Sequence, residues 1–164
     1  MRRLGFEVQE VMEGTLQRPG ENFSRPFRFD LRVLFPSMLH VLTAAVGRAW
    51  GTVRVDGLAR DADAIGSMEL SPLLKGRVRY TFDFAGDDGR RYHFDGWKTL
   101  RRWNVFKAWT TLPGTLYDDD GKACATATLY FSFRRHFPSL LRSFRLRWER
   151  PEGDRAPGVA TRAA

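Results

Sequence analysis

The sequence predicts an all-β fold: an antiparallel barrel of about eight strands with two short flanking helices. Three observations predict it. Apolar and polar residues alternate with period two along several stretches. Turn sequences rich in Gly, Asp and Pro separate those stretches. Successive stretches follow one another as hairpins, without the long crossovers that parallel strands need.

The first stretch, FEVQEVMEGTLQR, alternates imperfectly but has no helical period. RPGENFSRP breaks it, and RPFRFDLRVLF then alternates strictly. Phe27, Phe29, Leu31, Val33 and Phe35 fall on one face, and Arg28, Asp30 and Arg32 on the other, as in a half-buried strand. At Pro36 the period changes. In PSMLHVLTAAVGRAW, Leu39, Leu42 and Val46 form one helical stripe, with Ser37 placed to cap the helix and Gly47 to end it. WGTVRVDGL and AIGSMELS follow as short strands. RVRYTFDFAG sets Val78, Tyr80, Phe82 and Phe84 on one face; GDDGR turns the chain, and RYHFDGWKTL returns as the second arm of the clearest hairpin. FKAWTTL, GTLYDDDGK and ACATATLYFSF continue the pattern, with Ala125, Ala127, Leu129 and Phe131 sharing a face. FPSLLRSFRLRW repeats the earlier Phe-Pro-Ser exit, with Ser139 as cap and Leu140, Leu141, Phe144 and Trp148 as the stripe. A shared Phe-Pro-Ser is also a common way to stop a strand and cap a helix, so it does not establish a duplication. Residues 1–149 form one domain on this reading, and 150–164, broken by Pro151, Gly153, Pro157 and Gly158, form a disordered tail. The hairpin order suits an up-and-down barrel or a two-sheet sandwich; closure removes the edges that so many strands create.

The chemistry of common enzymes is absent from the pattern. His40, His93 and His136 lack metal-ligand spacing, so no metal is expected. There is no nucleophile elbow, Walker loop or dinucleotide fingerprint, and no cofactor is expected. Cys124 is the single cysteine, which excludes an intramolecular disulfide; it has no cationic sequence neighbour to lower its pKa. The carboxylates gather in turn sequences (Asp61 and Asp63, Asp87 and Asp88, residues 118–120) without EF-hand spacing. The start, MRRLGFEVQE, lacks the apolar run of a secretory signal, and no stretch reaches the length of a membrane span. The expected location is cytoplasmic, peripheral to the inner membrane if membrane-associated.

A net charge of +8 favours an anionic contact, although charge alone names none. Arginines interleave with aromatics in RRYHF, LRRWNVF, RRHF and RSFRLRW. Strand alternation alone accounts for such a pattern; a membrane interface or single-stranded nucleic acid would also use it, and membrane is preferred over nucleic acid.

HFDGWKTLRRWNVFKAWTTLPGTLYDDDG resembles the accessory, non-flavin domain associated with bacterial cholesterol-oxidase-like enzymes of the glucose–methanol–choline oxidoreductase family. The resemblance rests on Gly96-Trp97-Lys98, Trp109, Thr115-Leu116-Tyr117, the stretch 125–133 and Ser143-Phe144-Arg145, and spans most of residues 6–146. Trp97 stands where that pattern has Phe, and Pro113-Gly114 lengthens the segment before Tyr117. The resemblance implies a lipid- or sterol-associated module without oxidase activity, since the flavin domain is missing.

These readings together predict a calycin-like barrel acting as a non-enzymatic binding module for a sterol or fatty-acyl chain. Phe29, Leu31, Val33, Tyr80, Phe82, Trp97, Trp109 and Phe131 would line its interior. Arg142, Arg145 and Arg147 would meet an anionic surface. The alternative is a barrel filled by its own side chains that docks an anionic membrane or a partner oxidoreductase through a basic surface. A third reading, an enzyme acting on a lipid, would need carboxylates brought together from different strands.

Overall fold

In a computed structural model of the chain, residues 3–36, 44–71, 76–99, 110–131 and 145–149 are described. Nine strands account for most of them: β1 Arg3–Gln17, β2 Arg25–Phe35, β3 Ala45–Val55, β4 Ala59–Ser71, β5 Arg77–Ala85, β6 Arg91–Thr99, β7 Thr111–Tyr117, β8 Ala123–Phe131 and β9 Arg145–Glu149. Each of β1 to β8 is antiparallel to the next, and β8 returns to β1, pairing Met12 with Phe131. The result is a closed eight-stranded up-and-down barrel. β9 lies outside the ring, on the edge of β1, pairing Leu4 with Trp148 and Glu7 with Arg145.

The alternation read from sequence sets the two faces. Phe27, Phe29, Leu31, Val33 and Phe35 of β2 are all buried, and Arg28 and Arg32 between them are exposed. β5 and β6 repeat the pattern with Val78, Tyr80, Phe82, Phe84, Tyr92 and Phe94 inside. Apolar inside and charged outside is the reverse of a membrane-spanning barrel, whose outer band is apolar.

Three strand positions leave no room for a Cβ beside a neighbouring backbone. One on Gly14 would run into the carbonyl of Thr128 on β8, one on Gly51 into that of Asp30 on β2, and one on Gly66 into that of Thr81 on β5. All three are inward positions where neighbouring backbones approach closely, as a narrow barrel wall requires. Gly96 and Gly114 are cross-strand partners, and the Phe94 ring fills the space that their side chains would take.

The two expected helices are corrected at their C-terminal ends. Residues 45–47 belong to β3, where Ala45 pairs with Leu70 and Gly47 with Met68. Gly47 packs beneath Val33 and Phe35 and ends no helix. Residues 145–148 belong to β9, because the first residues of β1 carry a ladder edge that β8 does not reach. The remainder of both expected helices, with the capping Ser37 and Ser139, and the tail 150–164, lie outside the described residues.

The meander assigns every connection to an end. Turns 18–24, 56–58, 86–90 and 118–122 close one end; connections 36–44, 72–76, 100–110 and 132–144 all leave from the other, the mouth. The acidic turns are structural: Asp118 Oδ1 accepts from the backbone N–H of Asp120 and of Lys122, and Asp88 Oδ1 from that of Arg90.

Candidate functional site

The half of the barrel next to the tight turns is filled by rings that meet across it. Phe29 on β2 meets Phe82 on β5 with ring centres 5.3 Å apart, and Phe27 meets Phe94 on β6 at 5.5 Å. Phe82 and Phe94 stack at 4.9 Å. Contacts between strands three and four places apart in a ring of eight make this layer a solid plug.

Above the plug, towards the mouth, the interior turns polar. Glu10 on β1 and Tyr80 on β5 face each other from opposite sides of the ring, and the Tyr80 hydroxyl lies 2.8 and 2.9 Å from the two carboxylate oxygens of Glu10. Lys98 Nζ on β6 stands 3.6 Å from Glu10 Oε1 and 5.3 Å from the centre of the Tyr80 ring. All three residues are more than nine-tenths buried: Glu10 is 8%, Lys98 7% and Tyr80 1% exposed. Burial, reinforced by the Glu10 charge and by the hydrogen bond to it, holds the Tyr80 phenol well above its ordinary value, so it stays a donor. Lys98 is the second residue from the mouth end of β6.

Among the described residues, strand ladders end beside both charged members. The β6–β7 ladder runs only from His93 to Gly96, because Pro113 follows with no N–H to donate; Lys98 lies beyond its end. On β1 the edge facing β8 and β9 pairs with β8 from Met12 onward and with β9 up to Glu7, which leaves residues 8–11, Glu10 among them, without a strand on that side among the described residues.

Of the interior residues named from sequence, Phe29, Leu31, Val33, Tyr80, Phe82 and Phe131 are inside and buried. Trp97 is corrected: it points outward and is 54% exposed, because the inward frame of β6 passes through Tyr92, Phe94, Gly96 and Lys98. Trp109 and Arg142 lie outside the described residues, and Arg145 and Arg147 sit in β9. Sequence reasoning missed Glu10 and Lys98. The signal was present: both keep the parity of the buried residues on their strands, Met12 for Glu10 and Phe94 for Lys98.

Neither a family model, nor a characterised protein, nor a solved structure matches this chain. The resemblance to an oxidoreductase accessory domain therefore rests on the residues quoted for it.

On the outer face, charges are matched across strands. Arg79 donates two hydrogen bonds to Asp95, at 2.9 and 2.7 Å, Arg28 pairs with Glu13 and Arg54 with Asp61. His93 Nδ1 is 2.7 Å from Asp83. A surface depression of about 750 Å³ near the tight-turn end is bordered by Arg28, Arg54, Arg60 and Asp87, each in an ion pair. Among the described residues there is no cluster of three or more metal-ligating side chains, and no helix long and apolar enough to cross a membrane. Cys124 is half-buried, and burial pushes its thiol upward, away from thiolate reactivity.

Proposed function

We propose that this chain is a non-enzymatic β-barrel that docks mouth-first on an anionic lipid surface. The observation that carries the reading is the sorting of charge between the two ends. The tight turns hold Glu21, Asp56, Asp87, Asp88 and residues 118–120, all acidic, against Arg18, Arg90 and Lys122. The four mouth connections contain no Asp or Glu at all. They do contain Lys75, Arg101, Arg102, Lys107, Arg134, Arg135 and Arg142, set among Trp103, Phe106, Trp109, Phe133 and Phe137.

Each cation brought near an anionic leaflet is worth about 1 kcal/mol, and aromatic side chains add burial at the interface. On the strand exteriors, by contrast, the arginines described above are already matched by carboxylates. The barrel then stands on its mouth, with its acidic end directed away from the lipid by repulsion. The aromatic plug supports this reading over a ligand barrel hollow throughout.

Sedimentation with phosphatidylcholine vesicles, with and without phosphatidylglycerol, tests it. Binding should require the anionic lipid, fall with added salt, and be lost when Arg101, Arg102, Arg134, Arg135 and Arg142 become Gln. Asp118→Asn with Asp119→Asn should leave it intact. Binding that ignores both lipid charge and salt would overturn the reading, as would no binding by the native chain; the latter would return the basic end to a partner protein.

A further inference from the structure

We infer that the outer face of β3 and β4 is a self-association surface, on which a second copy of this chain packs side by side with its mouth facing the same way. This goes beyond docking and does not depend on it, since the face lies on the barrel wall and not at the mouth.

The starting point is an apolar pair that the wall itself does not need. Trp50 on β3 and Ile65 on β4 are cross-strand partners that point outward, 36% and 70% exposed. Single exposed apolar side chains are ordinary. Among the described residues, however, this is the one place where two large exposed ones are paired across strands. Both stand at the middle of their strands, so a lipid surface met mouth-first leaves them in water. Trp is also among the side chains enriched at protein interfaces.

Charge then names the occupant. β3 carries two charged side chains, Arg48 and Arg54, and no carboxylate. β4 carries Asp61, Asp63 and Glu69; its one cation, Arg60, sits at the turn end with Asp87. A basic strand therefore runs beside an acidic one, and the charges of both flank the apolar pair. Arg48 makes no ion pair among the described residues. Such a face complements itself. A two-fold axis lying in the contact and running along the strands, between β3 and β4, sets β3 of each copy on β4 of the other. By the β3–β4 register, Trp50 then meets Ile65 of the second copy. Arg48 falls opposite Ser67 there, next to Glu69, and Arg54 falls opposite the stretch that holds Asp61 and Asp63. Every contact is made twice. An axis across the strands would instead set basic β3 on β3 and acidic β4 on β4, which like charges oppose. Rotation about the strand direction leaves that direction unchanged, in keeping with the aligned packing of sheets face to face, so both mouths point one way.

Sedimentation equilibrium of the intact chain, without vesicles, tests this. The mass should climb from monomer towards dimer as concentration rises through about 5 to 500 μM, the span of a weak interface. Ile65→Asp should hold the chain monomeric and leave its melting temperature in dilute solution nearly unchanged, because the side chain is mostly exposed in the monomer. Arg48→Glu and Glu69→Arg should each prevent pairing as well, since each sets like charges together twice. Mixed one to one, those two variants should form a heterodimer, because both contacts then join opposite charges. A folding defect would not be repaired by mixing. Should one of the two fail to fold, the native concentration series and Ile65→Asp still decide. A native chain that stays monomeric across the range would overturn the inference and leave the face to a different protein. Association that survives Ile65→Asp would overturn it too, as would a mixture of folded variants that stays monomeric while the native chain pairs. With no lipid present, none of these outcomes bears on docking.

Discussion

Tyr80 joins the two halves of the interior: its ring lies 6.1 Å from that of Phe29 in the plug, and its hydroxyl serves Glu10. Tyr80→Phe keeps the ring and takes a neutral donor from a buried carboxylate. The expected cost is about 1–3 kcal/mol by denaturant unfolding. Its pH signature separates it from a packing defect. The folded phenol is raised above the unfolded value of 10.0, so its contribution is complete below that pH and is lost as pH rises above it. The native chain should weaken in alkali, and Tyr80→Phe should flatten that limb. Asp95 works at the opposite extreme. Hydrogen bonds from Arg79 hold its carboxyl below the ordinary 3.8, so its contribution is present above that value and fades as pH falls through the lower folded one. Asp95→Asn should flatten the acid limb of a stability–pH curve by lowering stability at neutral pH while leaving it nearly unchanged in acid. At this scale the sequence showed Tyr80 as an interior residue, but not its partners. Glu10 and Lys98 keep the inward parity of their strands, yet a charged residue in an inward frame reads as an exception until the opposite strand supplies its counter-charge.

The strands were the most legible elements, because alternation is itself the physical requirement of a wall with one dry face. The hairpin of β5 and β6 follows the quoted segments almost residue for residue. What misled was a run such as Ala44-Ala45-Val46-Gly47, in which small apolar residues satisfy helical and strand periods alike. Pairing partners decide such cases, and they are distant in sequence. The same holds for β9, whose place depends on the spare edge of β1. Two outcomes are expected here. Gly66→Ala should destabilise by about 1–3 kcal/mol through overpacking, because its Cβ meets the backbone of β5 and no flexible side chain there can yield. Ending the chain before Arg145 should lower the melting temperature and promote association by exposing the edge of residues 3–7, whereas ending it after Glu149 should change neither.

For the whole molecule, closure was legible from the run of hairpins, but the sorting of charge was not. A net charge of +8 says how many cations exceed anions; only the direction of each strand says at which end a loop emerges. The docking orientation follows from that assignment. With Cys124 replaced by Ser, an environment-sensitive fluorophore on Ser71→Cys, at the mouth end of β4, should brighten on anionic vesicles. The same fluorophore on Asp119→Cys, in a turn at the far end, should not.

β1 is the strand on which the barrel closes, and it is made first. Its partner β2 follows at once, but the ladder from Met12 to Phe131 waits until nearly the whole domain has left the ribosome. Until then the growing chain is an open sheet whose inner face is a continuous surface of Phe, Leu and Val. Synthesis therefore passes through a stage of seven strands with the interior wet, in which nascent chains stalled before Ala123 should bind hydrophobic dyes and recruit holdase chaperones, and those stalled well past Phe131 should not.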